Sequence, residues 1–196
     1  MPAFFIPSAK CVFIHIPKNG GASIRHGFFK SEYEGPVMDG IPDQWQEYFK
    51  FTFVRNPYDR LISCWRMFTR GMENSKWQYP DDGNPELTLE QFLEIAMDDS
   101  IPFDGPTRDT FEIKLRHHAL PQTHPFYCLD QADFVGRFES FSEDFRTICD
   151  RLGLDGELPH WNKTDRDSYQ QYFDENTKRI ADEFYGQDIA RLGYEF

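Results

Sequence analysis

The stretch CVFIHIPKNGGASIRHGFF, residues 11–29, decides the fold. Cys11 to Ile16 is a run of β-branched and aromatic residues, which predicts a buried strand. Ile24 and Phe28 then recur at helical spacing, so a helix is expected over about 22–30. Between strand and helix stand Lys18, Asn19, Gly20, Gly21, Ala22 and Ser23. A glycine-rich strand-to-helix turn aims several backbone N–H groups, and the positive end of a helix dipole, at one point. With a lysine and a hydroxyl added, that point suits a phosphate or a sulfate.

The same alternation continues along the chain. Phe51 to Val54 predicts a second strand ending at Arg55, and Asn56-Pro57 opens a helix. Leu61, Cys64, Trp65 and Phe68 form the apolar stripe of that helix. Thr88 to Gln91 is a capping box before a short helix to about Met97. A third strand is expected over Asp133–Phe138. It is followed by a second capping box, Ser140 to Glu143, and a helix ended by Gly153. Residues 168–186 predict a last helix, whereas 31–48 read as irregular. Strands alternating with helices argue for an α/β fold, a single domain over 1–196 with a central parallel sheet flanked by helices. Ligands of such sheets sit beyond the C-terminal strand ends, where Lys18 and Arg55 both lie.

Composition narrows the partners. The formal net charge of −12 repels nucleic acid and anionic membrane, so neither is expected as a partner. No stretch approaches the roughly 18 apolar residues of a membrane span, and no signal peptide is evident. Cys11, Cys64, Cys128 and Cys149 show no zinc-ligand spacing and are expected as free thiols in a reducing compartment. A cytoplasmic location is therefore the expectation. Residues 72–112 hold eleven Asp or Glu against Lys76 and Arg108, a net of −9. This acidic insertion is expected among loops on the acceptor side, where it would favour a neutral or cationic acceptor.

A phosphate loop first suggests a nucleoside triphosphatase or a kinase, but the order of residues differs. A Walker A loop reads GxxxxGK[ST], with the lysine after the glycines and the adjacent hydroxyl on Mg²⁺. Here Lys18 precedes Gly20 and Gly21, and the second strand ends in Arg55 rather than in a metal-binding acid. Two cations without an evident metal carboxylate suit a dianionic nucleotide handled by protein groups.

Two segments then coincide: Pro17-Lys18-Asn19-Gly20-Gly21-Ala22-Ser23 and, about 35 residues on, Arg55-Asn56-Pro57-Tyr58-Asp59-Arg60-Leu61-Ile62-Ser63. Together they resemble the 3′-phosphoadenylyl sulfate (PAPS)-dependent sulfotransferases, most closely the carbohydrate branch. The likeness continues through His118 with Pro121-Gln122, Phe134 to Glu139, Leu158 to Thr164 and the final Gly193 to Phe196. It departs at Ala22, where the family usually carries threonine. The resemblance implies a P-loop NTPase-like sulfotransferase fold, in a compact soluble form. It implies metal-independent, in-line transfer of a sulfuryl group from PAPS to the hydroxyl of a carbohydrate or small molecule, leaving 3′,5′-bisphosphoadenosine. A non-catalytic nucleotide-binding protein and a P-loop kinase are the alternatives.

The resemblance also implies roles. Lys18, Asn19, Gly20, Gly21, Ala22 and Ser23 would bind the 5′-phosphosulfate, with Lys18 also neutralising the leaving phosphate. Arg55 and Ser63 would hold the 3′-phosphate, and Lys163 would reach the phosphates from a later loop. His118 is the first candidate for the base and His117 the second. His15 and a carboxylate of the acidic insertion remain alternatives. Arg60 would contact either the nucleotide or an acidic side chain.

Overall fold

The computed structural model describes residues 3–37, 40–70, 86–104, 110–156, 158 and 168–196. The chain forms two compact units, each discontinuous in sequence. One comprises Met1–Asn56 with Gln122–Asp165, the other Pro57–Pro121 with Arg166–Phe196.

The first unit is built on a five-stranded sheet. Its strands are β1 (Ala3–Ile6), β2 (Cys11–Ile14), β3 (Glu34–Val37), β4 (Phe49–Val54) and β5 (Phe134–Arg137), in the order β3-β1-β2-β4-β5. β2, β4 and β5 are parallel, with Ile14 opposite Thr52 and Val54 opposite Arg137. β1 runs antiparallel to β2, and β3 antiparallel to β1. The sheet is therefore mixed, not the wholly parallel one expected. The reason is local: residues 7–10 join β1 to β2 in a tight hairpin, and parallel neighbours need a much longer crossover.

β2 is buried on both faces. Phe13 packs with Phe51, Ile24, and Phe145 of the helix Phe141–Leu152, while Val12 and Ile14 pack with Ile41 and Trp45. Trp45 and Tyr48 stack on Phe5, with ring centroids 5.3 and 5.0 Å apart, which makes them core residues. The Thr52 hydroxyl donates to Ile14 O at 2.7 Å across the parallel pair, so the buried hydroxyl keeps a partner. The expected capping box at Ser140 does not form. Asp144 instead accepts from Arg137 N at 2.6 Å and from the Ser140 hydroxyl at 2.8 Å.

The second unit is helical among its described residues: α1 (Pro57–Arg70), α2 (Leu89–Met97), α3 (Phe111–Ala119), α5 (Glu175–Phe184) and α6 (Gly186–Leu192), where α4 is Phe141–Leu152 of the sheet unit. Leu61, Phe68, Phe92, Leu93, Leu115 and Tyr185 anchor its core. The capping box of Thr88 and Gln91 forms as expected. The helix expected over 168–186 divides, because Phe173 is extended and Asp174 with Thr177 starts a new helix through its own capping box. No helix among the described residues is long and apolar enough to cross a membrane. All four cysteines are free thiols.

Candidate functional site

β2 and β4 are parallel neighbours, so the loop after Ile14 and the residue after Val54 leave the sheet at the same edge. Lys18 has a φ of 72°, unusual for a residue with a side chain, and Gly20 has a φ of 82°. A Cβ on Gly20 would lie 2.4 Å from Cζ of Phe141, and one on Gly21 would lie 2.2 Å from Cδ2 of His15. Both glycines are thus required by close approach. The segment that follows is helical from Gly21 and ends as a π-helix, Ser23–Phe28, somewhat short of the expected limit at 30. Ser23 is buried on its first turn, and Ala22 is half-buried.

Side chains tie this loop to the end of β4. Asn19 is 1 % exposed, and its Nδ2 donates to Phe53 O at 2.7 Å and to Gln122 Oε1 at 2.8 Å. Gln122 Oε1 also accepts from Arg55 N at 2.9 Å, and its Nε2 donates back to Arg55 O at 2.8 Å. The Arg55 guanidinium donates through Nη1 to Lys18 O at 3.1 Å and lies 4.1 Å from the centroid of Phe138. The ring face supports a cation without neutralising it. Asn56 N donates to Glu139 Oε1 at 2.7 Å. The arrangement holds two cations from two sequence motifs around one glycine-rich turn, a donor set matched to phosphate and sulfate.

His15 packs against Gly21, Phe4 and Phe13, a wall of the loop. Of the other expected residues in this unit, Lys163 lies outside the described residues.

Ser63, His117 and His118 belong to the helical unit. Ser63 is half-buried on the second turn of α1. His117 and His118 lie on the last turn of α3, a helix not expected from the sequence. His118 Nδ1 is 2.8 Å from Lys114 O, and His117 Nδ1 is 3.1 Å from Phe103 O. A carbonyl only accepts, so each Nδ1 carries the proton and each Nε2 carries the lone pair a base needs. Arg60, 1 % exposed, donates to His118 O at 2.8 Å and Leu120 O at 2.9 Å. Arg60 thus caps the C-terminal end of α3. Gln122 and Glu139 are the residues whose roles sequence reasoning missed, and no local periodicity marks either.

Residues 25–195 match the model of the Sulfotransferase family. The chain belongs to this family. The match takes in Arg55, Ser63, His117, His118 and Gln122 and begins just after the glycine-rich loop. Among curated proteins, the chain is 24 % identical over 192 residues to carbohydrate sulfotransferase 9 of Homo sapiens, covering 89 % of this chain and 41 % of that protein. It is 26 % identical over 119 residues to carbohydrate sulfotransferase 14 of Homo sapiens, covering 54 % of this chain and 29 % of that protein. The chain is thus close to the carbohydrate branch but spans less than half the length of either relative. No solved structure matches it.

Proposed function

We propose that this sulfotransferase moves the sulfuryl group of PAPS to a hydroxyl of a carbohydrate or small-molecule acceptor. The observation that carries the reading is the Arg55 to Lys18 O hydrogen bond, which joins the two cation-bearing motifs at one end of the parallel strands. The residues present fit the donor: two glycines allow a close approach of backbone, and Lys18 and Arg55 supply charge for phosphates. When bound, PAPS supplies an activated sulfuryl group on a phosphate leaving group.

The roles follow from the chemistry of each side chain. Lys18 offers its ammonium to the charge that gathers on the leaving phosphate oxygen, as electrostatic stabilisers do in phosphoryl transfer. Arg55 binds the 3′-phosphate, and Ser63 and Lys163 join the cofactor-binding set through their motifs. The backbone of Asn19, Gly20, Gly21, Ala22 and Ser23 binds the 5′-phosphate. His118 takes the proton of the attacking acceptor hydroxyl on Nε2, with His117 second in line.

Calorimetry with 3′,5′-bisphosphoadenosine tests this reading. Micromolar binding in EDTA, lost in a Lys18→Ala, Arg55→Ala double variant, is the expected result. Absent binding, or a preference for Mg-ATP, overturns it. Ala22 motivates one second reading, a binding protein without turnover, because the family's threonine hydroxyl is missing there. Transfer of labelled sulfate from PAPS to glycan or small-molecule acceptors separates the two.

A further inference from the structure

We propose that Gln122 is the positioning residue that fixes the distance between the two phosphate contacts of this site. The inference rests on the PAPS reading and adds to it how the site gains its preference for a doubly phosphorylated nucleotide.

The geometry asks for a carboxamide. Gln122 has no exposed surface, and its side chain meets both the N–H and the C=O of one residue, Arg55. Accepting from one backbone group while donating to the other is what the peptide of a neighbouring strand does. A carboxylate has no donor at neutral pH, an ammonium has no acceptor, and an apolar chain has neither. Gln122 thus continues the pairing of β4 by one residue. The same oxygen accepts from Asn19, whose amide also donates to Phe53 O. Two interlocked carboxamides therefore hold the main chain of the loop and that of Arg55 as one body. The Arg55 side chain is aimed by its bond to Lys18 O and its packing on the Phe138 ring.

This matters for ligand choice because two contacts cooperate only when their spacing is fixed before binding. A ligand that engages both gains over one that engages either, and the gain disappears when the spacing wanders. A residue that merely stabilises the fold weakens every ligand alike. A residue that sets the spacing weakens the bisphosphate and spares the monophosphate.

The test measures affinities for 3′,5′-bisphosphoadenosine and for adenosine 5′-monophosphate, at a temperature where each variant is fully folded by circular dichroism. In Gln122→Met, which keeps length and removes the polar contacts, the ratio of the two affinities should fall at least about tenfold. The monophosphate affinity should change less than about threefold. Asn19→Ser, which cuts the other end of the clip, should lower the ratio similarly, and the double variant should fall little further. Equal weakening of both ligands, or a double effect equal to the product of the two, overturns the proposal. If both variants fail to fold, the unaltered chain decides it. Its Gln122 side-chain amide protons should exchange slowly and shift on bisphosphate binding, and fast exchange or no shift overturns the proposal. Failure of the unaltered chain to bind bisphosphate is a different result, which removes the PAPS reading itself.

Discussion

Arg60 holds His118 by the backbone: its Nη2 donates to the His118 carbonyl at 2.8 Å while Nη1 donates to that of Leu120 at 2.9 Å. The last carbonyls of a helix have no partner within it, and a cation there also meets the negative end of the helix dipole. Tyr185 completes the cap by donating to Ala119 O at 2.7 Å.

Arg60→Met removes two charge-assisted hydrogen bonds and strands two carbonyls. The expected loss of stability is about 2–4 kcal/mol, read from urea unfolding. Because the freed segment carries His118, kcat should fall more than KM for the donor rises. Arg60→Lys should recover only part of both effects, since a single ammonium lacks the fork that reaches two carbonyls. Unchanged stability in Arg60→Met would remove the capping role.

Gly21 separates two effects that often travel together. Its φ is ordinary, so the cost of a side chain there is the collision with His15 alone. Gly21→Ala should cost about 1–3 kcal/mol through overpacking. In Gly21→Ala with His15→Ala the collision is gone, and thermal unfolding should show the pair no less stable than His15→Ala by itself. Gly20→Ala offers no such rescue through Phe141→Ala, because its φ of 82° remains strained for alanine.

The parts of the site that could be read in the sequence are those whose chemistry is local. Lys18 with two glycines, and Arg55 before Asn-Pro, each carry their meaning within a few residues of chain. Gln122 does not, because it acts on Asn19 across 103 positions and on Arg55 across 67. A buried carboxamide has no periodicity to mark it. Helix α3 was missed for a related reason. Phe111, Ile113 and Leu115 are spaced in twos, and it is burial of Leu115 and Ala119 against other helices that settles the segment. The antiparallel edge was missed because β1 is only four residues long and its partner β3 contains Gly35 and Pro36, which read as breakers.

The N-cap of α5 makes the helical unit sensitive to acid. Hydrogen bonds from the Thr177 backbone and hydroxyl to the Asp174 carboxylate hold its pKa below the usual value. A depressed folded-state pKa means that the unfolded chain takes up the proton first as pH falls. The contribution is thus complete above the ordinary carboxylate range near about pH 4 and is lost as pH drops through the folded-state value. Asp174→Asn keeps a capping oxygen but cannot titrate. Its stability, followed by circular dichroism, should therefore decline less steeply than that of the unaltered chain below about pH 4. Parallel acid limbs would show that Asp174 does not contribute.

Tautomers divide the histidines before any kinetics are done. His118 and His117 each direct Nδ1 at a carbonyl, at 2.8 and 3.1 Å, so the lone pair sits on Nε2. His124 is the reverse: its Nδ1 accepts from Phe126 N at 3.2 Å, which places the proton on Nε2. Nitrogen-15 spectra of the imidazoles should show the Nδ1–H form for His117 and His118 and the Nε2–H form for His124. His118 has the shorter bond, to a carbonyl of its own helix, and its main chain is the one Arg60 holds, so it is the better-fixed candidate for the base. His118→Ala should therefore lower kcat by about 10²–10⁴-fold with little change in KM for the donor, the range expected when a general base is lost. His117→Ala should cost less than about tenfold. A larger loss at His117 than at His118 would exchange their roles, and small losses at both would move the base to His15 or to a carboxylate of residues 72–112.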